Sequence, residues 1–288
     1  MTATLKPAAE STLDQLSSLH LPTLPAGTPF LLESLTNENI DFIELASIVE
    51  NFPNIAGKLI SLVNSAWSAP AAAITSLETT CSRLGFGVVR STSIALAVAS
   101  PFNSMKCLSF DQEYFWCSAL LTADAASRLV PHAASENDLE PSTARAAGLL
   151  HNLGLLWLVD RLPTEVDQAL TMVTKNQVES LQQALLDVLG FDQAQAGGYL
   201  GSSWELPEPL VEAMTHYLDT GYQGSQSAVV SIVGLAVKMV SASLKERPCP
   251  EADMRLSQLG ISEKNFNDVF EQLNRQLVKT RAIAKVLI

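Results

Sequence analysis

The most informative stretch of the chain covers residues 145–158: Arg-Ala-Ala-Gly-Leu-Leu-His-Asn-Leu-Gly-Leu-Leu-Trp-Leu. It is apolar at most positions and has helical spacing, with a glycine near its end. His151 is the exception, because an imidazole is costly to bury without a partner. Residue type alone favours a core histidine with a satisfied hydrogen bond over a ligand. His151 therefore either forms a hydrogen bond inside the core or binds something.

Helical periodicity extends over the rest of the chain. Apolar residues recur at helical spacing in residues 42–49, in residues 55–66 after Pro53, and in residues 266–277 after Ser262. Pro53 suits a first helical position, and Ser262 suits an N-cap. No segment alternates convincingly like a strand, and no Asn-Gly or Asp-Gly hairpin turn occurs. The sequence predicts an all-α fold in the form of a two-lobed helical bundle.

Composition and charge exclude several classes of protein. Hydrophobic residues make up 47% of the 288 residues and charged residues only 17%, which indicates a globular chain with a substantial core. A net charge of −12 disfavours nucleic-acid binding, because an acidic surface repels phosphates. The basic residues near the end are predicted to lie on the solvated face of a last helix; they are Arg275, Lys279, Arg281 and Lys285.

The sequence also predicts a cytoplasmic protein without a membrane partner. The longest apolar stretch, residues 228–240, contains Ser231, Gly234 and Lys238 and is shorter than the roughly 20 residues that span a bilayer. The first ten residues lack the basic and apolar regions of a signal peptide. The four cysteines are scattered without a C-x-x-C pair, which favours buried, reduced thiols.

Common catalytic motifs are absent from the sequence. It contains no G-x-S-x-G, no Walker-type phosphate loop and no H-E-x-x-H. The segment Gly-Phe-Gly-Val-Val-Arg at residues 85–90 begins like a dinucleotide-binding loop, but Arg90 stands at the third glycine position and no strand precedes it. Gly85 is therefore interpreted as a helix C-cap.

Several segments together resemble the HDOD branch of the HD-domain phosphohydrolase superfamily. Residues 145–158 resemble its Gly-Leu-Leu-His-Asp-Ile-Gly segment, and the other similar segments follow in the expected order over roughly residues 21–240. The residues that carry this resemblance as structural positions are Pro53, Asn64, Ser65, Gly85, Gly148, Trp204 and Pro207. The Asn64-Ser65 pair could line a contact between lobes or end a helix with side-chain hydrogen bonds, and we favour the second.

The resemblance also implies a domain organisation. Residues 1–20 are expected to form an N-terminal extension, and residues 21–240 the HDOD domain. Within that domain the N-terminal lobe covers about 21–110 and an HD-like lobe about 111–240, with the boundary in the irregular stretch around residues 101–112. Residues 241–288 are expected to form a C-terminal helical extension that packs on the HD-like lobe.

The departures from the catalytic pattern bear on function. In HD enzymes, histidines and aspartates from several helices bind metals that activate water. Here Asn152 replaces the aspartate of the tandem pair, Gln193 replaces a later histidine, and Tyr217 replaces the second of two paired histidines. Cys117 and Ser118 occupy the region of the upstream histidine, and a looser alignment places Val237 at the late aspartate. The resemblance thus implies a vestigial pocket of His151, Asn152, Gln193, His216 and Trp116, with no catalytic residue, no metal and no other cofactor.

Three functions remain open from the sequence. The favoured hypothesis is a non-catalytic bacterial regulatory module that binds an unidentified protein partner or a small ligand. The alternative is a metal-dependent phosphohydrolase of nucleotide phosphates, which needs further carboxylates such as Asp124, Asp160 or Asp219. A third hypothesis is a nucleotide sensor that uses the vestigial pocket and stacks a base on Trp116 or Trp204.

Overall fold

The computed structural model describes residues 14–24, 27–36, 40–64, 73–134 and 139–288. Within these ranges the regular structure consists of helices and contains no strand, which confirms the predicted all-α, two-lobed fold. Ser65, one of the positions that carry the resemblance, lies outside the described residues.

Five helices form the N-terminal lobe. They are α1 (Thr28–Thr36), α2 (Phe42–Glu50), α3 (Pro53–Val63), α4 (Leu77–Leu84) and α5 (Phe86–Ala99). The carboxylate of Asp41 accepts hydrogen bonds from two backbone amides and so caps α2, while Pro53 occupies the first turn of α3. Helix α4 packs against α2, α3 and α5, so the apolar faces of this lobe meet around it.

The C-terminal lobe contains ten further α-helices, and residues 14–18 before the first lobe are also helical. The ten helices are α6 (Gln112–Leu129), α7 (Pro141–Leu150), α8 (Leu153–Arg161), α9 (Pro163–Thr174), α10 (Leu181–Leu189), α11 (Gln193–Ser203), α12 (Glu208–His216), α13 (Ser227–Leu244), α14 (Met254–Gln258) and α15 (Glu263–Leu287). Helix α6 is central, with α7, α13 and α15 packed around it. Its alanines allow close approach, and a Cβ on Gly148 of α7 would stand 2.8 Å from the Thr122 carbonyl oxygen.

Helix α13 contains the longest apolar stretch of the sequence, residues 228–240. It is long and apolar enough to cross a membrane by length and composition, but 61% of it is buried inside the protein. It packs against α6, α7 and α12 of its own lobe. Burial against these helices accounts for its hydrophobicity.

The last helix contacts both lobes. Ser262 caps α15 by accepting a hydrogen bond from the Asn265 amide, as its position in the sequence predicts. Helix α15 lies along α6 and also reaches α3 and α5 of the N-terminal lobe. Residues after 262 therefore help to hold the two lobes together.

Two tryptophans fasten the start of the described chain to the C-terminal lobe. The indole Nε1 of Trp157 donates to the carbonyl of His20 at 3.3 Å, and that of Trp204 donates to the carbonyl of Pro22 at 2.8 Å. Leu16, just before this segment, is 1% exposed. Trp204 is thus a structural residue that holds the segment before the N-terminal lobe.

Asn64 ends α3 through its side chain. Its Nδ2 donates to the carbonyls of Ile60 at 2.8 Å and Ile74 at 2.7 Å, and its Oδ1 accepts from the Ile74 amide at 2.8 Å. The amide therefore stands in for the backbone partners that the end of a helix lacks. It also joins α3 to the chain ten residues later, which agrees with the helix-ending role favoured from the sequence.

We expect Asn64→Ala to lower the free energy of unfolding by about 2 kcal/mol, because three partly buried hydrogen bonds are lost together. Urea unfolding measures this change. Asn51→Ala is the matched control: Asn51 ends α2 but bonds only to carbonyls of its own helix. A loss of about 0.5 kcal/mol or less is expected there. Equal losses in the two variants would contradict the bridging role of Asn64.

Candidate functional site

The turn between α7 and α8 carries His151 and Asn152 into the interior of the C-terminal lobe. Helix α7 ends at Leu150 and α8 begins at Leu153, so the two polar residues occupy the bend. Helix α11 crosses α8 closely at Gly154, where a Cβ would meet the backbone of Gln193 and Gly197. This contact places Gln193, at the start of α11, beside the bend.

His151 is a buried, neutral histidine. It is 3% exposed, and its Nδ1 lies 2.7 Å from the Gly148 carbonyl oxygen. Because a carbonyl only accepts, Nδ1 carries the proton in the neutral ring. Burial lowers the pKa of His151 to about 4, so the ring is uncharged at pH 7. Of the two possibilities for His151, a hydrogen bond inside the core is the one that the structure shows.

Tyr217 connects the polar side chains around His151. Its ring lies edge-on to the imidazole, with centroids 4.9 Å apart at 82°. The phenol accepts from Gln193 Nε2 at 3.3 Å and donates to Asn152 Oδ1 at 3.5 Å. Burial raises the pKa of Tyr217, so the phenol keeps its proton. His151, Gln193 and Tyr217, which are buried, and Asn152, which is half-buried, form a neutral cluster that we call the histidine–tyrosine cluster.

The other two residues predicted for the vestigial pocket have different surroundings. The His216 side chain is 35% exposed, stacks on Tyr222 with ring centroids 4.5 Å apart, and lies 3.7 Å from a Glu212 carboxylate oxygen. Trp116 is buried on α6, where its ring makes an edge contact with Phe115 at 4.9 Å. The structure thus brings together His151, Asn152 and Gln193.

The carboxylates considered for a hydrolase site are engaged elsewhere. Asp124 pairs with Arg128 at 2.6 Å, and Asp160 pairs with Lys106 at 2.9 Å. Asp219 accepts a hydrogen bond from the amide of Gly221. Across the described ranges, no group of three or more His, Cys, Asp or Glu side chains is placed to hold a metal ion.

The histidine–tyrosine cluster does not fit the metal that HD enzymes use. It offers one imidazole nitrogen, amide oxygens and a protonated phenol, and none of these carries negative charge. The HD pattern binds its metals with several histidines and aspartates, and this cluster holds one histidine and no carboxylate. The buried Oε1 of Gln193 lacks a hydrogen-bond partner, but a single neutral oxygen does not replace those ligands.

Comparison with known families agrees with the motif order and the helical fold. The family model of the HDOD domain matches residues 21–219, more than half of the chain. The chain belongs to the HDOD domain family. No curated protein shows significant sequence similarity to this HDOD chain.

Three solved structures share the fold of this HDOD protein. A protein of Marinobacter aquaeolei VT8, provisionally named a signal transduction protein, is 20% identical with a TM-score of 0.81, covering 99% of this chain and 67% of its own. An HDOD domain protein of unknown function from Geobacter sulfurreducens is 20% identical with a TM-score of 0.73, covering 97% and 99%. A protein of Shewanella amazonensis SB2B, provisionally named a phosphohydrolase, is 21% identical with a TM-score of 0.69, covering 96% and 98%.

Three of the residues that carry the HDOD resemblance have roles in the fold. Gly85 ends α4 with a φ of 85°, a conformation that favours glycine. Gly148 allows α7 to approach α6, and Pro207 stands at the start of α12. The predicted pocket does not include Tyr217. Its position, where the family pattern has the second of two paired histidines, is the feature of the sequence that could have indicated it.

Proposed function

We propose that this HDOD protein is a non-catalytic regulatory module of bacterial signal transduction, which acts in the cytoplasm by binding a protein partner or a small ligand. The observation that carries the proposal is the histidine–tyrosine cluster. At the position that the resemblance implies for the HD metal site, this chain has a network of neutral groups.

The chemistry of the cluster supports binding or scaffolding over hydrolysis. Activation of water needs a metal or a general base within reach of solvent. His151 is buried, its Nδ1 is bonded to the chain, and its low pKa makes it a weak base at neutral pH. The amides of Asn152 and Gln193 do not take up protons at all.

The fold relatives are compatible with this proposal. The Marinobacter protein has a provisional name in signal transduction, whereas the Shewanella protein is provisionally named a phosphohydrolase. Both share about one residue in five with this chain, so the likeness concerns the fold. The loss of charged ligands favours the regulatory role for this chain.

Elemental analysis of protein purified without chelator or affinity metal tests the proposal. We expect less than about a tenth of an equivalent of iron, manganese, zinc or nickel, because the donors are neutral. We also expect no release of phosphate from nucleotides when these metals are added. Near-stoichiometric metal that disappears in His151→Ala, together with turnover abolished by a chelator, would establish the phosphohydrolase alternative instead.

A further inference from the structure

A cavity of about 530 Å³ lies between the two lobes, outside the histidine–tyrosine cluster. Helix α5 forms its wall on the N-terminal side, and α6, α7 and α15 form the wall on the other side. A second space of about 270 Å³ adjoins it and shares Phe86, Gly87, Ser91, Arg128 and Arg145. We call the two together the interlobe cleft. Its size lies within the roughly 300–1,000 Å³ of small-molecule sites.

The interlobe cleft is basic, in contrast to the acidic protein. Among the described residues that line it, Asp124 is the single carboxylate, whereas the cations are Arg90, Arg128, Arg145 and Lys279. Asp124 is already shared, lying 2.6 Å from Arg128 and 3.6 Å from Arg145. Arg128 and Arg145 therefore share a single carboxylate.

Arg145 meets the positive end of a helix in this cleft. A Cβ on Gly87 would stand 3.3 Å from the guanidinium carbon of Arg145, so the guanidinium packs against the first turn of α5. That turn has no side-chain cap and no acidic residue. A cation beside a helix N-terminus is unfavourable, and an anion between the two would stabilise both.

Ser91 supplies an independent sign of a ligand. Its side chain is buried at 4% exposure, lines both parts of the cleft, and its hydroxyl has no hydrogen-bond partner. Buried hydroxyls normally have a hydrogen-bond partner, because burying a hydroxyl without a hydrogen bond costs free energy. The Thr92 hydroxyl beside it is likewise unpartnered and lines the smaller part.

We propose that the interlobe cleft binds the phosphate groups of a small molecule that carries a diphosphate. Arg145 and Arg128 pair with the phosphate oxygens, the first turn of α5 donates backbone amides, and the Ser91 hydroxyl donates a further hydrogen bond. Phe86 lines both parts of the cleft, but its ring already packs against Phe42 at 4.1 Å and lies 5.1 Å below the Arg90 guanidinium, so recognition rests on the phosphates. The occupant contacts both lobes at once.

This inference names a class of ligand for the proposed regulatory role. It rests on the proposed function only where it assigns that ligand to regulation. The cleft is a different place from the histidine–tyrosine cluster, so each can be tested separately. Hydrolysis of the bound nucleotide would contradict the proposed function but leave the binding site in place. Absence of binding would remove the site and leave the proposed function standing.

Isothermal titration calorimetry of the full chain with ADP, inorganic pyrophosphate and adenosine tests the proposal, with phosphate release assayed in parallel. We expect ADP to bind at least about tenfold more tightly than adenosine, with an affinity that falls as salt rises. Pyrophosphate equal to ADP would assign recognition to the phosphates alone, and tighter ADP would add the base. Failure of both phosphates to bind at low salt would overturn the proposal.

Three variants locate the binding. Ser91→Ala removes only an unpartnered hydroxyl, so the fold is preserved and the affinity is expected to fall about fivefold. Arg145→Gln is expected to weaken binding about tenfold or more. Arg275→Gln, an exposed arginine on α15, makes the same charge change and is expected to alter affinity less than about twofold. Equal affinities in all three variants and the original chain would place the phosphates elsewhere and overturn the assignment.

Discussion

Gly154→Ala is expected to lower the free energy of unfolding by about 3 kcal/mol, in the upper part of the range for overpacked cores. The added methyl would overlap the Gln193 carbonyl oxygen and the Gly197 amide nitrogen and would stand 2.8 Å from the Gly197 Cα. All three are backbone atoms, which no rotamer change can move aside. Helices α8 and α11 must separate, and Gln193 then leaves the histidine–tyrosine cluster. Chemical unfolding at pH 7 measures the loss.

Gly197→Ala is the matched control on the facing helix. Its Cβ would stand 3.5 Å or more from the nearest atoms, which is ordinary van der Waals contact. Alanine also favours helix over glycine by about 1 kcal/mol. This variant is therefore expected to be as stable as the original chain or more so. Similar losses in both glycine variants would contradict the steric explanation given for Gly154.

The second large effect is a loss of stability in acid that depends on His151. Its pKa is about 4 in the folded protein and 6.5 in an unfolded chain, and desolvation by burial is the main cause. Between these values the unfolded chain binds a proton that the folded chain does not. Stability is therefore complete above pH 6.5 and falls as the pH falls towards 4, by about 3 kcal/mol in total from this residue.

Unfolding free energies measured from pH 7.5 to pH 4.5 test this expectation. His151→Gln replaces the imidazole by a group that does not titrate, so its stability should depend less on pH in this window. His20→Gln, at an exposed histidine, should keep the profile of the original chain. Asp253 also has a lowered pKa, but its effect on stability appears only near and below pH 3.8, its value in an unfolded chain, which is outside this window. Parallel profiles for the original chain and His151→Gln would refute a buried neutral imidazole.

The fold was predictable because its signals are local. Pro53 and Ser262 begin helices where their residue types favour it, and Gly85 ends one with a positive φ. The apolar spacing in residues 42–49 corresponds to α2. These preferences depend on neighbours a few positions away, which a single sequence displays.

The sites depend on residues that are distant in the sequence. Tyr217 completes the histidine–tyrosine cluster only because α12 ends beside the bend between α7 and α8. The interlobe cleft joins Arg90, Arg128, Arg145 and Lys279, which are separated by long stretches of an acidic chain. Lys279, one of the basic residues predicted for the solvated face of the last helix, is half-buried and lines the cleft. The spacing of residues along the sequence does not indicate which distant side chains come together in the fold.

The indole hydrogen bonds of Trp157 and Trp204 attach the chain to the C-terminal lobe just before the N-terminal lobe begins. Residues 20–22 are fixed to the C-terminal lobe before α1 begins, and the chain returns to it where Asp160 and Asp167 hold residues 103–109. If the first lobe melts alone, it becomes a loop closed at both ends and not a loose tail. A closed loop gains less chain entropy than a free one, so the lobe can open and reclose without leaving its partner.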